Sequence, residues 1–389
     1  MKSHFDLKRL FAAVPKVTPG EGKFSNSYGK TRAIFIVGEP YNGKPTSVFC
    51  YIGIPNKPEP AGGFPGVVLA HGAGGCAFYE WIEFWNKRGY AAIAPDFSGR
   101  EYGSRKLDGP AGEGIIRINP GARPANYGSV GENGETFYNS WIYHSVSSII
   151  LAHNLLLADS AVNPHKTVMT GISWGAVLTC IAAGVDDRFC AFAPVYGAGY
   201  LYYDQCINIK DKSETELKNW VEYYDPCSYL TENEKPILFT VGVDDPAFSL
   251  YANTKSSELC RGKVYYSNRS SLTHYHRWTD NEGMAVIGVF LDSVVNDIPL
   301  PFSVMSAEVS GNMLMAEIEG FENVKDIKFC YTLDSSADSR EWKWHSENVR
   351  PCDDGTVVCE IPAKTAACFL ELSDKGTPEL ILSTKAFFI

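Results

Sequence analysis

Gly171-Ile172-Ser173-Trp174-Gly175 is the stretch on which the reading of this chain turns. Before it, Lys166-Thr167-Val168-Met169-Thr170 predicts a buried strand. After it, the small residues of Ala176-Val177-Leu178-Thr179-Cys180-Ile181-Ala182-Ala183 predict a tightly packed helix. Strand, sharp turn and helix in that order hold a serine hydroxyl at the tip of a strained turn. The glycines stand where strand and helix nearly touch. Ser173 is therefore the candidate nucleophile. A Gly/Ser turn at a strand end has the same letters, so the rest of the chain has to carry the assignment.

A serine hydroxyl is a weak nucleophile, so it needs a base in hydrogen-bond reach and a third group to orient that base. After an elbow of this kind the acid and then the histidine follow in chain order. Val241-Gly242-Val243-Asp244-Asp245-Pro246 supplies the acid at a strand end. Asp245 is favoured by its GxxD spacing and the following proline, with Asp244 the alternative. The competing reading is an aspartate pair capping the helix at Ala247. The base falls in Leu272-Thr273-His274-Tyr275-His276-Arg277-Trp278. His274 lies nearer the strand end and is preferred, and His276 is the alternative.

An acyl-transfer oxyanion needs two backbone donors, one of them the residue after the nucleophile, here Trp174. Leu69-Ala70-His71-Gly72-Ala73-Gly74-Gly75 offers the second from a Gly-rich turn: Ala73, with Gly74 next in preference. The same loop lacks the GxGxxG spacing and the lysine of phosphate-binding loops. His71, His144, His274 and His276 do not fall in a metal-ligand spacing, so neither metal nor other cofactor is expected. Trp81, Trp141, Trp174, Tyr196, Tyr275 and Trp278 fall near the predicted rim. His71, Trp141, Tyr196, His276 and Trp278 are expected to line the substrate pocket.

Around these motifs the pattern is α/β. Residues 33–37 and 47–52 predict antiparallel strands. Strands at 66–70, 91–95, 189–195, 237–241 and 264–267 then alternate with helices at 78–88, 135–157, 248–260 and 281–296. Such alternation predicts a mostly parallel eight-stranded sheet with helices on both faces. Ser98 to Gly134, rich in Gly, Pro and Asn, is expected to be a cap insertion, and Tyr200 to Asn233 is a second cap candidate. After Ile298-Pro299-Leu300-Pro301 only short alternating runs remain. The chain thus divides into a catalytic unit, 1–297, and a small β-sandwich, 298–389.

The net charge of −10 argues against nucleic acid or an anionic membrane as the main partner. Met1 to Lys16 has scattered charges and no apolar core of signal-peptide length, and no stretch approaches the roughly 20 apolar residues of a membrane span. The expected setting is cytoplasmic. Eleven cysteines without CxxC pairs, among them Cys50, Cys180 and Cys190 in apolar runs, fit reduced core thiols rather than a disulfide framework. The oligomeric state is open, a homo-oligomer included.

Taken together, the chain resembles the acetyl xylan esterase and dienelactone hydrolase branch of the α/β-hydrolases. The resemblance is carried by His71 to Gly75, Trp85 to Ala94, Ser140 to His144, the elbow, Gly184 to Phe189, Pro194 to Gly197 and His274 to His276. It covers roughly residues 60 to 290, and Tyr331 to Asp334 with Trp342-Lys343-Trp344 looks like the immunoglobulin-like tail of some of these esterases. Two departures stand out. Gly175 is followed by Ala176 where relatives often have a second glycine. The Gly/Trp stretch after the histidine pair is reduced to Arg277-Trp278, which leaves the base open between His274 and His276. The resemblance implies the α/β-hydrolase fold and a serine esterase that removes acetyl or other small acyl groups, often from carbohydrates, through an acyl-enzyme. Two alternatives are a peptidase of the prolyl oligopeptidase type and an inactive glycan-binding scaffold. The residues ahead of the core are too few for the peptidase's propeller, and the complete set of Ser, Asp, His and Gly-rich loop speaks against the scaffold.

Overall fold

The computed structural model describes residues 4–20, 26–41, 43–73, 75–98, 135–203, 213–275, 284–336, 338–376 and 378–389. In chain order come α1 (Leu7–Ala12), β1 (Val17–Pro19), β2 (Gly29–Tyr41), β3 (Lys44–Pro55), β4 (Phe64–Ala70), α2 (Tyr79–Arg88) and β5 (Ala91–Pro95). Then follow α3 (Glu135–Tyr138), α4 (Trp141–Leu157), β6 (Val162–Ile172), α5 (Trp174–Val185), β7 (Ala191–Val195), α6 (Glu214–Tyr223), β8 (Ile237–Gly242), α7 (Leu250–Ser257), β9 (Val264–Arg269) and α8 (Met284–Asn296). The remainder is strand: β10 (Ser303–Ser310), β11 (Met313–Glu319), β12 (Val324–Thr332), β13 (Trp344–Val349), β14 (Thr356–Glu360), β15 (Ala367–Asp374), β16 (Ile381–Ser383) and β17 (Phe387–Phe388).

In space the strands run β1-β2-β3-β5-β4-β6-β7-β8-β9. The β2/β3 and β3/β5 pairs are antiparallel, and every pair from β5/β4 to β8/β9 is parallel. β5 and β8 are buried along their whole length because both faces are covered, which is why each reads as an almost wholly apolar run, Thr240 being the one polar residue. On β4 the faces alternate. Val67 and Leu69 join the core under α2 and α8, while Val68 and Ala70 join the core under α4 and α5. β5 lies to one side of β4 and β6 to the other, so the direction of winding reverses at β4. A ligand crevice forms outside the carboxyl ends of strands at such a switch point, and the Gly-rich turn and the serine turn both emerge there.

The single amphipathic helix expected over 135–157 is two helices. Ser140 breaks it, its hydroxyl accepting the Tyr143 N–H at 3.1 Å as the N-cap of α4. Nor is α4 amphipathic: it is buried on nearly every side, packed between β2, β4, β5, β6, α1 and α5. Of the expected cap at Ser98 to Gly134, residues 99–134 lie outside the described residues. The second cap candidate also includes 204–212, outside them as well. Its described part carries a capping box at Ser213 and Glu216, and it sends Trp220, Tyr224 and Leu230 into the same core as α5. No helix among the described residues is long and apolar enough to cross a membrane. Every described cysteine is free, with Cys50 and Cys180 buried.

The C-terminal strands form two sheets, β10-β11-β14 and β16-β15-β12-β13 with β17 added to β15. The second is not detached. Ser383 of β16 pairs antiparallel with Tyr266 of β9, so one sheet continues through fourteen strands. An edge strand presents unpaired backbone groups that need covering, and β16 covers β9. The apolar interior runs on in the same way: Leu314, Ile318, Phe329 and Leu370 belong to one cluster with Phe290 and Leu291 of α8.

Burial also sets a pH dependence. It pushes the His144 imidazole down to about 4, the negative charge of Glu39 offsetting this only in part. An unfolded histidine takes its proton near its ordinary value of about 6.5. As pH falls from there toward 4 the unfolded chain binds a proton that the folded chain refuses, and stability is lost. The urea midpoint is therefore expected to be lower at pH 5 than at pH 7.5, with a smaller drop in His144→Gln.

Candidate active site

Ser173 stands alone between the end of β6 and the start of α5, with φ 55° and ψ −123°. For a residue with a side chain this conformation costs on the order of 1–3 kcal/mol, so its surroundings must impose it. Its N–H donates to the Val195 carbonyl at 3.0 Å, and its own carbonyl accepts from the N–H groups of Ala176 and Val177 at 2.9 and 3.1 Å. Two glycines allow the close approaches. A Cβ on Gly175 would lie 2.1 Å from the Ala70 carbonyl oxygen at the end of β4, and one on Gly197 would lie 2.3 Å from the Ser173 carbonyl oxygen. The elbow is thus pressed against the Gly-rich turn that follows β4.

His274 comes from the loop after β9. Its Nε2 is 3.1 Å from Ser173 Oγ, and its Nδ1 is 2.8 Å from Asp245 Oδ2. Asp245, in the turn after β8, is fully buried, and its other oxygen accepts the N–H groups of Ala247 and Phe248 at 2.9 and 2.8 Å. Capping the turn and holding the histidine are therefore tasks of two different oxygens on one carboxylate. Asp244 beside it is exposed. Tyr196 packs its ring 4.3 Å from the imidazole, and Phe248 lies parallel to it at 6.2 Å. The Tyr196 hydroxyl donates to the carbonyl of Tyr275, a residue 50% exposed. His276 and Trp278 lie outside the described residues.

The turn after β4 closes with the Gly75 N–H on the Gly72 carbonyl at 3.1 Å, and Ala73 lies within it. Gly74 lies outside the described residues. Trp174 is the first residue of α5, so its N–H has no acceptor within the helix. His71 corrects the expectation of a pocket-lining side chain. It is buried, its Nδ1 is 2.8 Å from the Gly72 carbonyl, and its Nε2 accepts the Phe97 N–H at 2.8 Å. That pairing places the ring proton on Nδ1 and leaves neither nitrogen for a substrate. His71 instead ties the turn after β4 to the segment after β5. Trp141, also buried, serves the same segment: its Nε1–H donates to the Phe97 carbonyl at 2.8 Å while its ring meets Trp174 edge-on at 5.6 Å.

Sequence reasoning missed Asp96-Phe97-Ser98. The Ser98 hydroxyl donates to the Gly75 carbonyl at 2.6 Å, and the Ser98 N–H donates to Asp96 Oδ2 at 3.1 Å. Their position directly after β5, at the strand end next to the switch point, is the signal that points to them. Phe248 was missed as well, and only its neighbour Asp245 hints at it.

A serine on a strained strand-to-helix turn at the switch point of this mixed sheet defines an α/β-hydrolase. Residues 49–264 match the model of the dienelactone hydrolase family, and the chain belongs to that family, a family of hydrolytic enzymes. No curated protein matches the chain in sequence. Among solved structures it is similar to the acetyl xylan esterase from Paenibacillus sp. R4, with 15% identity, 74% of this chain and 92% of that one covered, and a TM-score of 0.59. It is also similar to acetyl xylan esterase 1 from Thermoanaerobacterium sp. JW/SL YS485, with 13% identity, 75% and 92% covered, and a TM-score of 0.55. At these identities the likeness speaks to the fold.

Proposed function

We propose that this protein is a serine carboxylic-ester hydrolase that removes acetyl or other small acyl groups from a carbohydrate or similar alcohol. One observation carries the reading: the hydrogen-bonded chain from Asp245 through His274 to Ser173, at 2.8 and 3.1 Å. His274 Nε2 takes the Ser173 proton as Oγ attacks the ester carbonyl. Asp245 keeps the histidine proton on Nδ1 and stabilises the imidazolium that forms. The N–H groups of Trp174 and Ala73 receive the oxyanion. On collapse the alcohol leaves with the proton from His274 and the acyl group stays on Ser173. Water, deprotonated by the same imidazole, then releases the acid. Tyr196, whose ring packs on His274, is the side chain expected against the bound ester, and the exposed Tyr275 next to His274 is expected to meet the alcohol. The acetyl preference draws on the two acetyl xylan esterases to which the fold is similar.

The test is a set of chromogenic esters from acetate to octanoate beside a peptide anilide. Acetate is expected to be cleaved fastest and the anilide not at all. Cleavage of the anilide at a comparable rate would replace the esterase reading by a peptidase one, and a rate that rises with acyl length would overturn the small-acyl reading.

A further inference from the structure

We infer that Glu371, on β15 of the C-terminal strands, is a positioning residue for the histidine base, so that these strands form part of the catalytic apparatus. The inference rests on the reading of His274 as that base. Glu371 is 6% exposed. Its Oε2 accepts the backbone N–H of Ser270 at 2.6 Å, both its oxygens lie 3.0–3.1 Å from the Ser270 hydroxyl, and Lys328, its cross-strand partner, donates to Oε1 at 3.0 Å. Ser270 is the first residue after β9 and stands four residues before His274.

The grip continues along the strand. The Asn268 N–H donates to Ser383 Oγ at 2.9 Å, the Asn268 amide donates to the Thr384 carbonyl at 3.0 Å, and Ser267 Oγ donates to the Ile381 carbonyl at 2.7 Å. On the opposite side a Cβ on Gly242 would lie 2.6 Å from the Leu272 carbonyl oxygen, so the same loop is seated against the end of β8, which leads to Asp245. His274 thus departs from a segment clamped between the acid-bearing strand and the C-terminal sheet. A neutral acceptor would satisfy one backbone N–H. A buried carboxylate is costly unless fully bonded, and its charge-assisted bonds are about twice as strong as neutral ones. Such rigidity matters where the base must meet Ser173, because a displacement of about 1 Å costs on the order of 100-fold in rate.

Glu371→Gln keeps the shape but turns a donor toward Ser270 or Lys328. The expected result is a fall in kcat for an acetate ester of about 10-fold with KM within about twofold, the pattern of a loss felt in the transition state. Rates are normalised to sites titrated with a fluorophosphonate, so a merely structural role would leave them unchanged. The rate of that labelling should fall by the same factor, and the downfield proton of the His274 to Asp245 hydrogen bond should broaden. Ser270→Ala, which keeps the backbone bond, is expected to lose about threefold in kcat and decides the matter if Glu371→Gln does not fold. A per-site kcat and labelling rate within about twofold of wild type in the folded variants overturns the inference, whatever happens to the melting temperature. If instead the wild type neither hydrolyses the ester nor takes the label, the esterase reading itself has failed, and the two failures remain distinct.

Discussion

Ser173→Ala is expected to lose ester hydrolysis by on the order of 10⁴- to 10⁶-fold in kcat while folding normally. The size follows from what the hydroxyl does. Without Oγ there is no acyl-enzyme, and what remains is binding plus the oxyanion donors acting on water. The fold is expected to survive because nothing that holds the elbow uses the side chain. The anchoring bonds at residue 173 come from its N–H and its carbonyl, and Gly175 and Gly197 make the close approaches. Ser173→Gly extends the argument. It should be equally inactive and more stable by about 1 kcal/mol, since glycine adopts φ 55° without strain. Initial rates on an acetate ester and thermal melts of the three proteins check both statements. Residual hydrolysis above a tenth of wild type in Ser173→Ala would remove the serine from the mechanism.

The elbow was legible because three local signals coincide there: a strand buried from Thr167 to Ile172, glycines where no Cβ fits, and a small-residue helix. The β5 and β8 strands were legible for the related reason that parallel strands covered on both faces read as near-continuous apolar runs. Other features depend on contacts that local sequence does not encode. The choice between Asp244 and Asp245 is set by the turn after β8, which turns one carboxylate to solvent and the other inward; the GxxD spacing favours Asp245 without describing that turn. The break at Ser140 was hidden because a cap serine inside an apolar pattern resembles a polar face position. The role of His71 was misread because an HG pair beside a Gly-rich turn looks the same whether the ring faces the pocket or the backbone. The pairing of β16 with β9 joins residues more than a hundred apart, and the alternating pattern that predicts a sandwich is silent on which edge it meets.

The second large effect is expected at Asp245. Asp245→Asn should lower kcat by about 10³- to 10⁴-fold, and Asp244→Asn should leave it within about twofold. An asparagine at 245 is the same size but carries one acceptor and one donor where the carboxylate has two acceptors. The Ala247 and Phe248 N–H groups already claim one oxygen at 2.9 and 2.8 Å. The asparagine oxygen must stay there, because the flipped amide would set its NH₂ against two backbone donors, at about 1–3 kcal/mol for each donor left unsatisfied. With the oxygen so placed, the NH₂ points at His274 Nδ1, which then has to accept, and the ring proton moves to Nε2. That is the atom 3.1 Å from Ser173 Oγ. A protonated Nε2 cannot remove the serine proton, so the base is disabled by its tautomer while the geometry of the site stays intact. The rate loss should therefore come with an unchanged melting temperature and an unchanged KM, a combination that an unfolded site does not produce. A comparable loss in Asp244→Asn, with Asp245→Asn active, would transfer the role to the exposed neighbour.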